Sequence, residues 1–339
     1  MIKQEYITLS HGSGGVESSE LIEHLFYKIL GDSVMESNED AGVFVSPYSL
    51  AMSTDSYVVN PVFFPGGDIG KLCVCGSSND VAMRGAKPKY LSLALILEEG
   101  MSIEDLSKIL HSIRSQLLLG GQKILTGDTK VVPKGFADRI YINTTAIGEI
   151  QTHRNVSVKN LQEGDVIIVS APVGTHGAVI FCARNEIALQ SDLQSDCAQL
   201  YPMLESVLES SLEIHVMRDA TRGGLAAVLN EWARACHVEI VLQEDAIPIL
   251  PQVRGVCEIL GLEALNLANE GVCVLCVPKN QANQILSLLQ SHPLGQQAQI
   301  IGEVSRQTTP TQARVIMRSA WGSERYLEYP QGELLPRIC

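Results

Sequence analysis

With 339 residues, 45% of them hydrophobic and 19% charged, the chain has the composition of a soluble globular protein and the length for two domains of roughly 150 residues each. Its 25 basic residues face 38 acidic ones, a formal net charge of −13, which argues against nucleic acid or an anionic membrane as a general partner. A nucleotide stays open, because carboxylates hold Mg²⁺ and the metal holds phosphates. The opening MIKQEYITLSHGSGG lacks the apolar segment of a signal peptide, and the longest apolar run, YLSLALIL, is too short to span a bilayer; a cytoplasmic protein is expected.

In chain order, the glycine-rich HGSGGV comes first, with Gly12, Gly14 and Gly15 ahead of an amphipathic run from Glu17 to Leu30. Its backbone N–H groups suit an anion once closed around it, and suit equally a flexible turn before a helix. The strand-like runs SLAMSTDSYVV, KYLSLALIL, KILTGDTKVV and RIYINTTAIGEI follow, with the helical IGKLCVCGSSNDVAMRG and SIEDLSKILHSIRSQLL between them. In the second helix Ile103, Leu106, Leu110, Ile113 and Leu117 recur at three and four, with Ser102 as N-cap. The polar IGEIQTHRNVSVKNLQEGD then joins two strand-like runs, placing a boundary near residue 155.

The second half repeats the alternation. GDVIIVSAP, VEIVL, GVCVLCV and AQIIGEV read as strands, whereas GLAAVLNEWARAC (Leu225, Val228, Leu229, Trp232) and NQANQILSLLQSH (Ala282, Ile285, Leu286, Leu289) read as amphipathic helices. The pattern predicts an α+β or α/β protein with domains at 1–155 and 156–325 and a tail at 326–339.

Nine cysteines, an odd number in a chain with no export signal, argue against a disulfide framework. Cys73 and Cys75 lie two apart on a helix and Cys273 and Cys276 three apart on a strand, so neither pair shares a face, and buried free thiols are expected. The ninth, Cys339, ends the chain in ELLPRIC. A terminus suits a reactive thiol better than a structural one. Prenylation requires three residues after the cysteine, and none follows.

Five acids stand in loops or at strand ends beside small residues: Asp40 in NEDAGV, Asp55 in STDSY, Asp80 in SSNDVAM, Asp128 in TGDTKVV and Asp219 in RDATRGGL. Each alone reads as a cap or turn. Together they suggest a convergent site, which a hard divalent cation would neutralise. PGGDIGKL is not a P-loop, since Pro65 replaces the first glycine and Leu72 the hydroxyl residue. HGSGG is not a Rossmann fingerprint either. A nucleotide site here would be built from Asp–Mg²⁺ contacts.

In this order HGSGG, STDSYVV, FFPGGDIGKL, SSNDVAMRGAKP, LILEEG, TGDTKVV, INTTAIG, RDATRGG, NEGV and terminal PRIC resemble the hydrogenase maturation factor HypE family. That family belongs to the PurM-like superfamily of aminoimidazole ribonucleotide synthetase and selenophosphate synthetase. The resemblance runs from His11 to Cys339. It implies a two-domain α+β fold, with an N-terminal sheet that completes a barrel in a homodimer and a C-terminal α/β-sandwich-like domain. It also implies a substrate carried on Cys339: the carbamoyltransferase HypF loads a carbamoyl group, ATP drives its dehydration to a thiocyanate, and the cyanide passes to iron on a HypC–HypD complex. By the same resemblance Asp40, Asp80 and Asp219 would hold Mg²⁺. Asp55, the Gly127–Asp128–Thr129 turn and the flap glycines Gly12, Gly14 and Gly15 would contact ATP. Glu270 and Lys130 would be the candidate base or proton relay.

Two rival readings remain at this point. A synthetase or kinase acting on a free small molecule would work without Cys339. A docking protein would bind through its tail and turn over no ATP.

Overall fold

A computed structural model of the chain describes residues 15–21, 42–45, 49–150, 154–185, 187, 192–332 and 337–339. Its first half contains α1 (Val16–Leu21), β1 (Gly42–Val45), β2 (Ser49–Tyr57), β3 (Phe63–Phe64), β4 (Gly67–Asp68), α2 (Ile69–Met83), β5 (Ala86–Glu98), α3 (Ile103–Gly120), β6 (Lys123–Val132) and β7 (Ile140–Ile150). Five of these strands form one sheet in the order β1-β2-β7-β5-β6. Its pairs are antiparallel except β5 and β6, which run parallel. A parallel pair requires a crossover, and α3 supplies it.

The helices start where side chains can cap them. Asp68 Oδ1 accepts from Gly70 N and Lys71 N at 2.7 and 2.9 Å ahead of α2, and Ser102 Oγ accepts from Asp105 N at 3.4 Å ahead of α3. Both helices cover one face of the sheet, where Ala51, Tyr57, Ile69, Leu72, Leu91, Ile109 and Ile142 form the core. In α3 the stripe on the core is Ile109 and Ile113, buried, flanked by the partly buried Leu106 and Leu117, and Leu110, expected inside, is 42% exposed. Ile109 and Leu110 are adjacent apolar residues, and only one can face the sheet.

The second half contains β8 (Val166–Val169), α4 (Thr175–Arg184), α5 (Tyr201–Glu209), β9 (Val216–Asp219), α6 (Gly224–Cys236), β10 (Val238–Gln243), α7 (Pro251–Leu260), β11 (Cys273–Val277), α8 (Ala282–Gln290), β12 (Gln299–Gln307), β13 (Arg314–Arg318) and β14 (Glu324–Tyr326). Seven strands make a mixed sheet in the order β14-β13-β10-β12-β8-β11-β9. Ile167, Val169, Val274 and Cys276 join the core under α6, and Val166, Ile168, Cys273 and Leu275 join the core with α5 and α8. Burial on both faces explains why β8 and β11 read as unbroken apolar runs. It also separates Cys273 from Cys276, as their spacing predicts, and all nine cysteines are free.

One buried asparagine, Asn79, ties the halves together, and a second, Asn269, braces segments within the second half. Asn79 of α2 donates to Ala198 O (2.9 Å) and accepts from Leu200 N (2.8 Å). Asn269 accepts from Gly174 N (2.7 Å) and donates to Ala220 O (2.8 Å). The first core also takes in Ile180 and Ala268 from the second half, and Ile338 from the tail.

Candidate active site

A pocket of about 240 Å³ lies between the halves, lined by Ser53, Thr54, Asp55, Gly76, Asp80, Arg218, Asp219, Thr221, Arg222, Glu270 and Cys339. Four elements deliver its acids. Asp55 comes from β2, Asp80 from α2, Asp219 from the end of β9, and Glu270 from the turn before β11. Of the five acids expected in loops or at strand ends, Asp80 is therefore helical and Asp128 lies inside β6. A carboxylate within an element can serve a site when that element's own end faces the cleft.

The electrostatics are those of carboxyls gathered without enough cations. Ser53 Oγ donates to Asp80 Oδ2 at 2.6 Å, and Asp55 Oδ1 accepts from Ser56 N at 2.8 Å. Asp219 and Glu270 are 4% and 3% exposed, and Asp219 Oδ2 and Glu270 Oε1 find no hydrogen-bond partner among the described residues. Burial pushes Asp219 up to about 6, against the opposing charge of Arg218. Burial likewise raises Asp55, with Arg222 pulling the other way, and carries Glu270 well above the carboxylate range. Four carboxyls face two guanidiniums, and Arg218 is already engaged by Glu231. Buried oxygens without partners, on acids that resist ionising, fit a divalent cation. Among the described residues no three His, Cys, Asp or Glu side chains form a ready-made metal cluster, so Asp80 and Asp219 would be part of a ligand set completed by other oxygens.

The tail lies inside the cleft. Val58 N donates to Cys339 O at 2.9 Å and Asn60 N to Arg337 O at 3.3 Å. The Arg337 side chain donates to Val58 O at 2.9 Å and pairs with Asp138 at 2.7 Å. Ile338 is buried in the first core. Cys339 is partly buried at the pocket. Its thiol is held well above the ordinary thiol range, first by burial, then by the charges of Glu270 and Asp55.

The other expected site residues are placed differently. Gly127, Asp128 and Lys130 are exposed on the edge strand β6. Lys130 Nζ pairs with Asp128 at 2.6 Å. Gly127, Asp128 and Lys130 do not line the pocket of their own chain. Gly15 packs at the start of α1 against Pro330 O, which accepts from Val16 N at 3.1 Å. Gly12, Gly14 and Asp40 lie outside the described residues. The sequence reading missed Arg218 and Arg222 in the pocket, and His176 and Arg184 under the tail. The two pocket arginines stand within RDATRGG, beside an acid already selected, and that adjacency was the available signal. A single histidine on an apolar helix gave none.

The chain matches the AIR synthase related protein N-terminal domain over residues 38–150 and the C-terminal domain over residues 162–311. It is 45% identical to the carbamoyl dehydratase HypE of Escherichia coli K12, over 98% of this chain and 99% of the relative. A solved HypE–HypF complex superposes with a TM-score of 0.86 at 41% identity, covering 91% of this chain and 99% of that one. A hydrogenase maturation protein HypE solved in complex with ATP gives 0.82 at 40% identity, covering 98% and 100%. With a PurM-like two-domain fold and identity of this order over its full length, the chain belongs to the HypE family of carbamoyl dehydratases.

Proposed function

We infer that the chain is an ATP-dependent carbamoyl dehydratase whose substrate group rides on its own last residue, supplying the cyanide ligand for [NiFe] hydrogenase maturation. The observation that carries this reading is the terminal Cys339, docked by its backbone into a pocket of four carboxyls. A free-substrate enzyme has no use for that arrangement. The carbamoyl oxygen leaves with the γ-phosphoryl group of ATP as phosphate, the nitrogen gives up both its protons, and the C≡N bond of the thiocyanate forms. Bound Mg²⁺ would neutralise phosphate charge during transfer, held by Asp80 and Asp219, with Asp40 as a third ligand. Asp55 contacts the nucleotide. Glu270 takes a nitrogen proton, since it lines the pocket beside Cys339 and is the strongest acidic influence on that thiol.

The partners follow from the same reading. HypF loads the thiol, which the solved complex between relatives supports, and a HypC–HypD complex receives the cyanide. The active form is a homodimer in the cytoplasm, in which Gly127–Thr129 and Lys130 of one subunit face the nucleotide of its partner. The exposed β6 and the family's fold support this.

The test is fragmentation mass spectrometry of the C-terminal peptide after incubation with carbamoyl phosphate, ATP, Mg²⁺ and the carbamoyltransferase. The expected result is a carbamoyl adduct on Cys339 that loses one water only with hydrolysable ATP. In Glu270→Gln the adduct should form and keep its water. An unmodified Cys339 beside an active transferase would overturn the reading in favour of a free substrate.

A further inference from the structure

Each of the last three residues has a donor on a backbone oxygen. Cys339 O receives Val58 N (2.9 Å), and Arg337 O receives Asn60 N (3.3 Å) and Arg184 Nη2 (2.8 Å). Ile338 O receives His176 Nε2 at 2.8 Å. Val58 and Asn60 belong to the first half, His176 and Arg184 to α4 of the second, so the docked tail is clasped from both sides. Arg184 also donates to Asn60 O at 2.9–3.0 Å, which couples the two sides.

His176 is fully buried and touches no residue of the reaction pocket in its hydrogen bonding. Its ring stands edge-on to Phe64 with centroids 5.4 Å apart. Nδ1 lies 2.7 Å from Ser195 Oγ. That oxygen also accepts from Cys197 N at 3.1 Å; because Ile338 O at Nε2 can only accept, the neutral ring leaves Nδ1 to accept the Ser195 O–H. Nδ1 is then an acceptor, and the ring carries its proton on Nε2, the form that donates to a carbonyl. Burial keeps the ring neutral, lowering its pKa to about 4. The ring is thus set to receive one backbone carbonyl, and with the tail away its Nε2–H would lose that partner.

We propose that His176, oriented by Ser195 and joined by Arg184, is a latch that grips the Ile338 and Arg337 carbonyls and so positions the Cys339 thiol in the reaction pocket. The latch rests on the reading that Cys339 carries the reacting group, and makes His176 a positioning residue. It grips backbone one residue before the reacting one, so it fixes the Cα of Cys339 whatever group the sulfur carries.

The test measures Cys339 alkylation by iodoacetamide in the full chain, without ATP or partner, by quantifying the C-terminal peptide. His176→Phe keeps the ring's bulk and removes the donor, and should raise the rate about tenfold, the factor set by one buried hydrogen bond. His176→Gln, whose amide can occupy the Nε2 position, should restore a rate within about twofold of the parent. Arg184→Ala, at a half-buried position, should also raise the rate, and serves if the Phe variant does not fold. Parent-like alkylation in a folded His176→Phe and in Arg184→Ala would overturn the latch. Because the readout needs no turnover, failure of the dehydratase reading leaves its result intact. In the loaded enzyme His176→Phe should slow water loss while nucleotide affinity is unchanged.

Discussion

At the scale of the residue, Cys339 has two tasks that require different surroundings. To accept a carbamoyl group the sulfur must be a thiolate. In the docked position it stands among carboxyls whose charge, with burial, raises its pKa well above the ordinary value. The docked tail therefore carries a neutral thiol, which is suited to a loaded or resting state and poorly suited to attack. The sign follows directly: docking favours the protonated form, so it holds below the undocked pKa of about 8.5 and weakens as pH rises through it. The rate–pH profile of Cys339 alkylation in the folded chain should have its midpoint above that of the same peptide in denaturant. Coincident midpoints would show that the pocket does not act on the sulfur. The acids responsible were legible in the sequence, since Asp55, Asp80, Asp219 and Glu270 each stand in a short polar motif between apolar runs. His176 was not. Its role depends on Ser195 and on a tail 162 residues away, and no local pattern encodes that meeting.

At the scale of the element, the site depends on how closely short segments approach one another. The turn Asn269–Gly271 carries Glu270 past the segment at Asp196, whose Oδ2 accepts from Glu270 N and Gly271 N at 3.2 and 3.3 Å. A Cβ on Gly271 would overlap the Asp196 carbonyl oxygen, which is backbone and cannot swing aside. Gly271→Ala should lower unfolding free energy by about 2–4 kcal/mol and move Glu270 out of the pocket, so that stability in urea and dehydration fall together. An alanine variant with parent stability and activity would show that the approach has slack. The element types were mostly legible, because α2, α6, α8 and the long strands have clear periods. The short strands β9, β13 and β14 were not. Their residues VMRD, RVIMR and ERY are too few and too charged to alternate, and pairing with neighbours makes them strands.

At the scale of the whole molecule, the described residues cover the first sheet on one side. Its helices bury the inner face, while Met52, Tyr90 and Ile96 are 42%, 39% and 42% exposed on the outer one. The edge strand β6 adds Leu125 and Val131 at 64% and 67%, and α3 ends on Leu118 and Leu119 at 71% and 67%. An exposed apolar edge of this kind invites pairing with another chain. It also carries Asp128 and Lys130, which do not line their own chain's pocket. A second copy placed against this face would bury the apolar side chains and bring those polar ones to a partner's nucleotide. Sedimentation at micromolar concentration should therefore give twice the chain mass. Val131→Asp, a charge on the exposed edge strand β6, should give the single-chain mass and lose ATP turnover while its circular dichroism stays that of the parent. A Val131→Asp chain that sediments as a monomer and still hydrolyses ATP at the parent rate would place Asp128 and Lys130 outside the nucleotide site and confine the catalytic pocket to one subunit.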